Sequence, residues 1–297
     1  MIIFNSISQL KSHLLSLRNQ SPICRIGFVP TMGALHQGHI SLINTAKAQG
    51  DMVVCSIFVN PTQFNDLNDL QNYPRTFEAD CKLLEVAGCD IVFMPEVSEM
   101  YTLKELELKK QQVEDKGWTE GKKVDFGLLA KVMEGEHRPG HFNGVAQVVS
   151  KLFGIVEPDK AYFGQKDFQQ LAIIRSMVKQ LEMPIEIIAC PIIREKNGLA
   201  MSSRNERLSA EERESASLIS KTLFKIKELQ AIKTVAGLKA FAETQLKTDP
   251  RIQLEYFEIS DAVSLQPITD YKQAKSAVAC VALKIGKVRL IDNIVLY

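Results

Sequence analysis

Pro30-Thr31-Met32-Gly33-Ala34-Leu35-His36-Gln37-Gly38-His39 follows an apolar, strand-like run at 23–29 and precedes an amphipathic helical pattern at 40–49. The stretch hands a strand over to a helix, with two imidazoles three residues apart at the junction. A helix N-terminus carries unpaired backbone N–H groups and the positive end of the macrodipole. The histidines add side-chain donors, so polyphosphate is the ligand this junction suits. A zinc half-site competes for two histidines. No cysteine or carboxylate stands within ten residues of them, however, and no protein ligand for a metal is expected. Ordinary surface histidines are the other alternative. Neither GxGxxG nor GxxxxGK[ST] occurs, so a nucleotide bound here is bound through histidines.

Outward from that junction, short apolar runs at 25–29, 52–59, 91–94, 160–163 and 185–188 alternate with helical patterns at 40–49, 76–87, 145–156 and 168–181. A further helix is expected from Ser6, whose spacing to Gln9 is that of a capping box, through about Leu17. Runs apolar throughout suit strands buried on both faces. The expectation is a Rossmann-like α/β domain with a parallel sheet and helices on both faces. Ligands of such sheets collect beyond the C-terminal strand ends, where His36 and His39 fall and where Asn60-Pro61-Thr62-Gln63 follows the second strand. A hinge is expected near Pro191-Ile192-Ile193. Helices at 210–229 and 235–248 and strands at 252–260, 276–285 and 288–291 would then form a smaller C-terminal α+β domain. The expected division is 1–190 and 191–297, the latter acting as a lid. The polar stretch 102–123, with the single tryptophan Trp118, reads as an exposed excursion of loop or short-helix character.

The chain has 297 residues, 45% of them hydrophobic and 24% charged, which suits two folded domains and excludes disorder. A net charge of +1 gives no overall electrostatic reason to bind nucleic acid. Six cysteines are scattered without CxxC pairing and read as reduced core residues. No apolar stretch approaches the ~20 residues that span a bilayer, and the N-terminus has no signal-peptide pattern. A cytoplasmic protein without membrane contact is expected.

Two further turns carry donors. Gly164-Gln165-Lys166-Asp167 follows a strand and opens a helix bearing Gln169 and Gln170. Lys166 can neutralise phosphate, and Asp167 can accept from ribose hydroxyls or cap the helix. Met201-Ser202-Ser203-Arg204 places two hydroxyls before a guanidinium, a set suited to β,γ-phosphate oxygens. An ordinary capped helix and a Ser-rich helix entry are the plainer readings of these two strings taken alone.

HxGH near the N-terminus and MSSR near residue 200 resemble the HIGH and KMSKS pair of the nucleotidyltransferases that include class I aminoacyl-tRNA synthetases. FVPTMGALHQGH at 28–39, FVNPTQF at 58–64, YPRT at 73–76, RPGHFNGV at 138–145, FGQKDFQQL at 163–171 and GLAMSSRN at 198–205 resemble, in order, the pantothenate synthetase family. The resemblance implies ATP-dependent condensation of (R)-pantoate with β-alanine through a pantoyl adenylate, releasing AMP and diphosphate. It makes His39 the proton donor, as an imidazolium facing the departing diphosphate, with His36 beside it and Lys166 and Arg204 stabilising phosphate charge. Met32, Gly33, Ala34, Leu35, His36, Gln37, Gly38 and His39 form its first ATP segment. Gly164, Gln165, Lys166 and Asp167 form the second, and Met201, Ser202, Ser203 and Arg204 the third, with Ile193 beside the adenine. Gln63 and Gln170 are the implied pantoate ligands, Gln63 also serving β-alanine, while Asn60, Tyr73, Arg138 and His141 line or brace the site. Mg2+ is implied as the ATP complex, held mainly by phosphate oxygens. Asp80 stands where the family has an acid near the phosphates, and Ala79 where many members carry a second. A homodimer is implied as well. The 102–123 excursion, longer than in many relatives, could cover the site, extend a dimer contact or be a solvated insertion. A synthetase-like enzyme acting on tRNA and a silent nucleotide-binding module are the rival readings. The near-neutral charge and the lack of an anticodon-binding domain weigh against the first, and donors at all three turns against the second.

Overall fold

Residue alternation along the strands decides the architecture. Phe28, Val54, Ile91, Phe93, Ala161 and Phe163 belong to one buried cluster, whereas their chain neighbours Val29, Val53, Cys55, Val92 and Tyr162 belong to another. Successive strand side chains point to opposite faces, so these runs bury both sides of a sheet. The computed structural model, which describes residues 1–21, 23–64, 67–106, 117–119 and 122–297, shows that sheet. Its first four strands in chain order are β1 (Ile2–Phe4), β2 (Ile26–Thr31), β3 (Met52–Ile57) and β4 (Ile91–Phe93). A separate antiparallel pair follows, β5 (Gly117–Thr119) and β6 (Lys122–Val124). The main sheet is then completed by β7 (Lys160–Gly164) and β8 (Glu186–Cys190), and its six strands all pair in parallel in the order β1-β4-β3-β2-β7-β8. Helices Ile7–Gln20, His141–Val156 and Phe168–Gln180 contribute to the first cluster. Helices Gln37–Ala48 and Phe77–Val86 contribute to the second. The expected doubly covered parallel sheet is therefore present.

The chain winds from β2 outward to β3 and β4, then crosses to the other side of β2 for β7 and β8. The order reverses between β2 and β7, and the crevice beyond the C-terminal strand ends at such a reversal is where open α/β sheets take ligands. Thr31 ends β2 and Gly164 ends β7, so the HxGH loop and the start of the second donor turn leave neighbouring strands on the same sheet edge.

Two compact units result. The first comprises Met1–Ala130, Glu134–Gln165 and Gln170–Cys190, and the second Lys131–Met133, Lys166–Gln169 and Pro191–Tyr297. In the second unit, β9 (Ile252–Asp261), β10 (Ala277–Ile285) and β11 (Val288–Val295) form an antiparallel sheet in the order β11-β10-β9. Helices Ala210–Leu229 and Val235–Leu246 share one buried cluster with it.

Local differences from the sequence expectation have physical causes. No sequence pattern marks β1: three residues carry no period of their own, and the strand exists by pairing Ile2, Ile3 and Phe4 with Ile91, Val92 and Phe93. Ser6 precedes the first helix as expected, but its hydroxyl bonds Ser8 Oγ at 2.9 Å and makes no cap, while Glu99 accepts the Ile7 N–H at 2.7 Å. A distant carboxylate thus replaces the local capping box. Within the polar excursion, residues 107–116, 120 and 121 lie outside the described residues. Its described parts include the β5–β6 pair, and Leu106 packs against the main core. The excursion is anchored at both sides of the gap. Among the described residues, no helix is long and apolar enough to cross a membrane.

All six cysteines are free thiols, and Cys55, Cys89, Cys190 and Cys280 are buried. Burial pushes the Cys55 and Cys190 thiols up, and Cys89 to about 12. A raised pKa leaves little thiolate at pH 8. Iodoacetamide at that pH should leave Cys55, Cys89 and Cys190 unmodified in the folded chain and label them after denaturation. Peptide mapping that finds them labelled before unfolding would contradict this packing.

Candidate active site

The turn after β2 is held in a conformation its sequence does not favour. Gly33 has φ +80°, and a Cβ there would come within 3.1 Å of Asp80 Oδ2 and of Ile57 Cγ2, so any side chain there would be strained and would have to move a neighbour. Ala34 also lies in the left-handed region, at φ 49°, which costs a residue with a side chain about 1–3 kcal/mol. The compensation comes from Asp80 on the helix Phe77–Val86. Its Oδ2 accepts from the Ala34 N–H at 2.9 Å, and its Oδ1 from the Leu35 N–H at 2.8 Å and the Thr76 hydroxyl at 3.0 Å. Hydrogen bonds to a charged group contribute about 1.5–3 kcal/mol each, so the carboxylate outweighs the strain. Thr31 secures the other side, donating to Ser56 O at 2.7 Å and accepting from Gly33 N at 3.2 Å.

The helix Gln37–Ala48 then starts on a capping box made of imidazoles. His36 is the N-cap: its Nδ1 accepts from Gly38 N at 3.1 Å, while His39 Nδ1 accepts from His36 N at 3.3 Å. The ring centroids lie 4.1 Å apart, tilted by 37°. A ring nitrogen that accepts carries no proton, so in the neutral state both rings hold theirs on Nε2. This alters the picture drawn from sequence. The N–H groups of Gly33, Ala34, Leu35, His36, Gly38 and His39 are all accepted by neighbouring protein atoms. The side-chain N–H groups at this junction are those on Nε2 of the two rings. An imidazolium would have to give up its capping bond.

Beyond β3, Asn60 is 1% exposed and works inside the protein. Its Oδ1 accepts from Thr62 N at 3.3 Å and the Tyr101 hydroxyl at 3.0 Å, and its Nδ2 donates to Gly144 O at 3.2 Å and Gln63 Oε1 at 3.3 Å. Gln63 Nε2 touches the Met32 sulfur, which joins the loops after β2 and β3. The helix His141–Val156 comes close behind: a Cβ on Gly144 would stand 2.4 Å from Thr62 O. His141 Nδ1 lies 2.9 Å from Gln63 O and must carry the proton, leaving Nε2 to accept from Arg138 Nη1 at 3.1 Å. Arg138 also stands 3.6 Å from Glu134, and Tyr73 packs edge-on against Phe64 with centroids 5.6 Å apart. Gln170 is half-buried on the helix after β7.

His36, His39, Met32 and Gln63 are thus gathered at the ends of adjacent strands, with Asn60, Arg138 and His141 behind Gln63. Gly164 and Gln165 continue β7 in the same unit. Lys166, Asp167, Ile193 and Met201–Arg204 belong to the second unit. There Lys166 Nζ is 4.0 Å from the Asp167 carboxylate, and the Met201 N–H donates to Ile193 O at 2.9 Å. Ser202 accepts from Arg204 N at 3.3 Å. Asp80, Thr31, Tyr101 and Gly144 are the contributors that sequence reasoning did not assign to holding these loops. Asp80, Tyr101 and Gly144 act across distances in sequence that no local pattern marks, and Thr31 reaches Ser56 as well as Gly33 two residues on.

The whole-chain comparisons agree with this geometry. The Pantoate-beta-alanine ligase family model matches residues 2–295. The chain belongs to the pantoate-β-alanine ligase family. It is 52% identical to a pantothenate synthetase of Porphyromonas gingivalis over 294 residues, 99% of each chain. The crystal structure of pantothenate synthetase from Thermus thermophilus superposes with a TM-score of 0.88 at 38% identity over 100% of both chains. A pantoate-β-alanine ligase from Francisella tularensis, described as complexed with beta-gamma ATP and β-alanine, gives a TM-score of 0.73 at 36% identity, covering 100% of this chain and 98% of that one.

Among the described residues, no three His, Cys, Asp or Glu side chains form a group that could hold a metal ion. Asp80, the acid nearest the loop, has both oxygens committed to Ala34, Leu35 and Thr76. Its task within this family fold is to hold the HxGH loop. Asp80→Ala would strand two loop N–H groups at about 1–3 kcal/mol each. The expected result is a chain destabilised by that order whose turnover falls with it; an unchanged melting temperature and rate would contradict the role. Gly144→Ala should push the 61–63 turn away through contact with Thr62 O and lower the melting temperature, as thermal unfolding would show.

Proposed function

We infer that the chain catalyses ATP-dependent condensation of pantoate with β-alanine to give pantothenate, AMP and diphosphate. The observation that carries this reading is the family match over residues 2–295, joined to the imidazole cap of His36 and His39 and the Gln63–Met32 contact at the ends of adjacent strands. A pantoate carboxylate oxygen bonds to the α-phosphorus of ATP while the bond to diphosphate breaks and its electron pair leaves with diphosphate. The β-alanine amine then bonds to the acyl carbon, AMP departs with the C–O electron pair, and the amine loses its proton. Neither step needs a covalent bond to the protein, so catalysis is positioning and charge stabilisation.

In this reading His39 donates from neutral Nε2–H to the oxygen that gains charge as diphosphate leaves, and His36 beside it does the same for a neighbouring oxygen. Gln63 suits two ligands, because an amide both donates to a carboxylate and accepts from a hydroxyl or amine. Its own rotamer is fixed by Asn60 and Met32. Gln170 takes pantoate with it. Lys166 and Arg204 offset phosphate charge, Asp167 accepts from ribose, and Ile193 meets the adenine. Asn60, Tyr73 and Arg138 act by bracing. The donors here are imidazole, ammonium, guanidinium and amide groups, which fit phosphate oxygens. The residues present therefore fit a Mg2+ ion carried by the triphosphate, which adds further neutralisation of its charge. A homodimer in the cytoplasm completes the proposal on family likeness, and light scattering at twice the mass of one chain is the expected result.

ATP–diphosphate exchange should require pantoate and ignore every amino acid; exchange driven by an amino acid would replace the reading with the synthetase-like one. His39→Ala should lower pantoate-dependent diphosphate release about 100-fold or more, while the lost cap costs only about 1 kcal/mol of stability. Near-normal turnover by that variant would remove His39 from the donor role.

A further inference from the structure

Two neighbouring residues of β11 hold both nucleotide-directed segments of the second unit. Asp292, 3% exposed, accepts from Arg194 Nη1 at 2.6 Å and from Nη2 at 3.0 Å. Arg194 in turn grips the turn that presents the MSSR loop. Its Nη1 donates to Gly198 O at 3.1 Å, and its backbone bridges to Ala200 in antiparallel fashion. The next rung of the same turn is the Met201 N–H to Ile193 O bond at 2.9 Å. The guanidinium lies 5.1 Å from the Phe224 ring centroid, which fixes its plane. Asn293 follows in β11 and sends Nδ2 to the Lys166 carbonyl at 2.9 Å, while its N–H donates to Asp292 Oδ1 at 2.8 Å. Side chains at successive strand positions point to opposite faces, so one strand step separates the two grips. β10 pairs with β11 through both positions, Val281 with Asp292 and Cys280 with Asn293, so the strand is a stiff support.

We propose that Asp292 and Asn293 are positioning residues for the nucleotide, holding the Ile193-to-Met201 turn through Arg194 and the Lys166 backbone through the Asn293 amide so that the two segments keep a set spacing. The inference rests on the ATP-dependent reading above. A bidentate carboxylate–guanidinium pair fixes orientation as well as distance, which a lone ammonium would not do. Arg194 also follows directly on Ile193, so the pair governs the residue assigned to adenine and the loop assigned to phosphate together.

The test uses the full chain and two variants. Asn293→Ala removes the side-chain link to the Lys166 carbonyl and leaves the Asp292–Arg194 pair in place, and Asp292→Asn leaves Arg194 without its counter-charge. Losing one neutral hydrogen bond corresponds to about a threefold to tenfold change. Asn293→Ala should raise KM for ATP by that factor while KM for pantoate and for β-alanine stay within about twofold. Asp292→Asn should raise KM for ATP further. Amide hydrogen exchange gives a readout independent of turnover: exchange should quicken at 166–168 in Asn293→Ala and at 199–204 in Asp292→Asn. If the wild-type chain forms no pantothenate, the functional reading fails and exchange still decides the positioning claim. Equal rises in all three KM values, or unchanged exchange at 166–168 in Asn293→Ala, would overturn it. Should Asp292→Asn fail to fold, Asn293→Ala decides alone, since it changes no sheet hydrogen bond.

Discussion

A single buried carboxylate, Asp80, accepts the N–H groups of two consecutive residues in the loop between β2 and the helix Gln37–Ala48. The placement of both imidazoles follows from that constraint. Ala34 adopts a left-handed conformation because its N–H has a charged acceptor there, and the chain then enters the helix with His36 as N-cap. Once His36 and His39 use Nδ1 for the cap, their ring protons sit on Nε2. The loop thus gives a helix N-terminus whose backbone N–H groups at His36, Gly38 and His39 are accepted within the loop and whose two imidazoles carry N–H on Nε2. Side-chain donors reach farther from the helix axis than backbone ones.

The same economy recurs beyond β3. Asn60, fully inside the protein, spends one face on Thr62 and Tyr101 and the other on Gly144 and Gln63. The close approach of Gly144 to Thr62 brings the helix His141–Val156 against the turn, and His141 fixes the Gln63 carbonyl. Gln63 therefore sits on a turn whose polar atoms are tied down on several sides. Tautomers sort accordingly: His36 and His39 accept through Nδ1, whereas His141 donates through it. One residue type performs two opposite tasks because its backbone surroundings differ.

Much of this is legible in the sequence. Apolar runs, such as 52–55 and 91–93, mark a sheet covered on both faces, and the strand-to-helix handover at 30–39 marks the C-terminal edge of that sheet. The helix Ala210–Leu229 carries its limits in its own residues, with Ser209 and Glu212 forming the capping box that starts it. The family resemblance names the reaction. What stays hidden depends on partners far along the chain. β1 is a strand only beside β4, the Ser6 cap yields to Glu99, and the Asp80 grip on Ala34 spans 46 positions. Of the N–H groups expected to face a ligand at the HxGH helix, those of Ala34 and Leu35 are consumed by Asp80, an acceptor that only the fold brings close. Bonds between residues near in sequence leave a pattern; bonds across 46 residues leave none.

The loop fixes the tautomers of its histidines. Nitrogen-15 NMR of the imidazoles in the ligand-free chain reads this directly, because a protonated and an unprotonated ring nitrogen differ in chemical shift and in coupling to ring protons. The account predicts that, at a pH where the rings are neutral, His36 and His39 carry the proton on Nε2 and His141 carries it on Nδ1. Finding either His36 or His39 protonated on Nδ1 would contradict it.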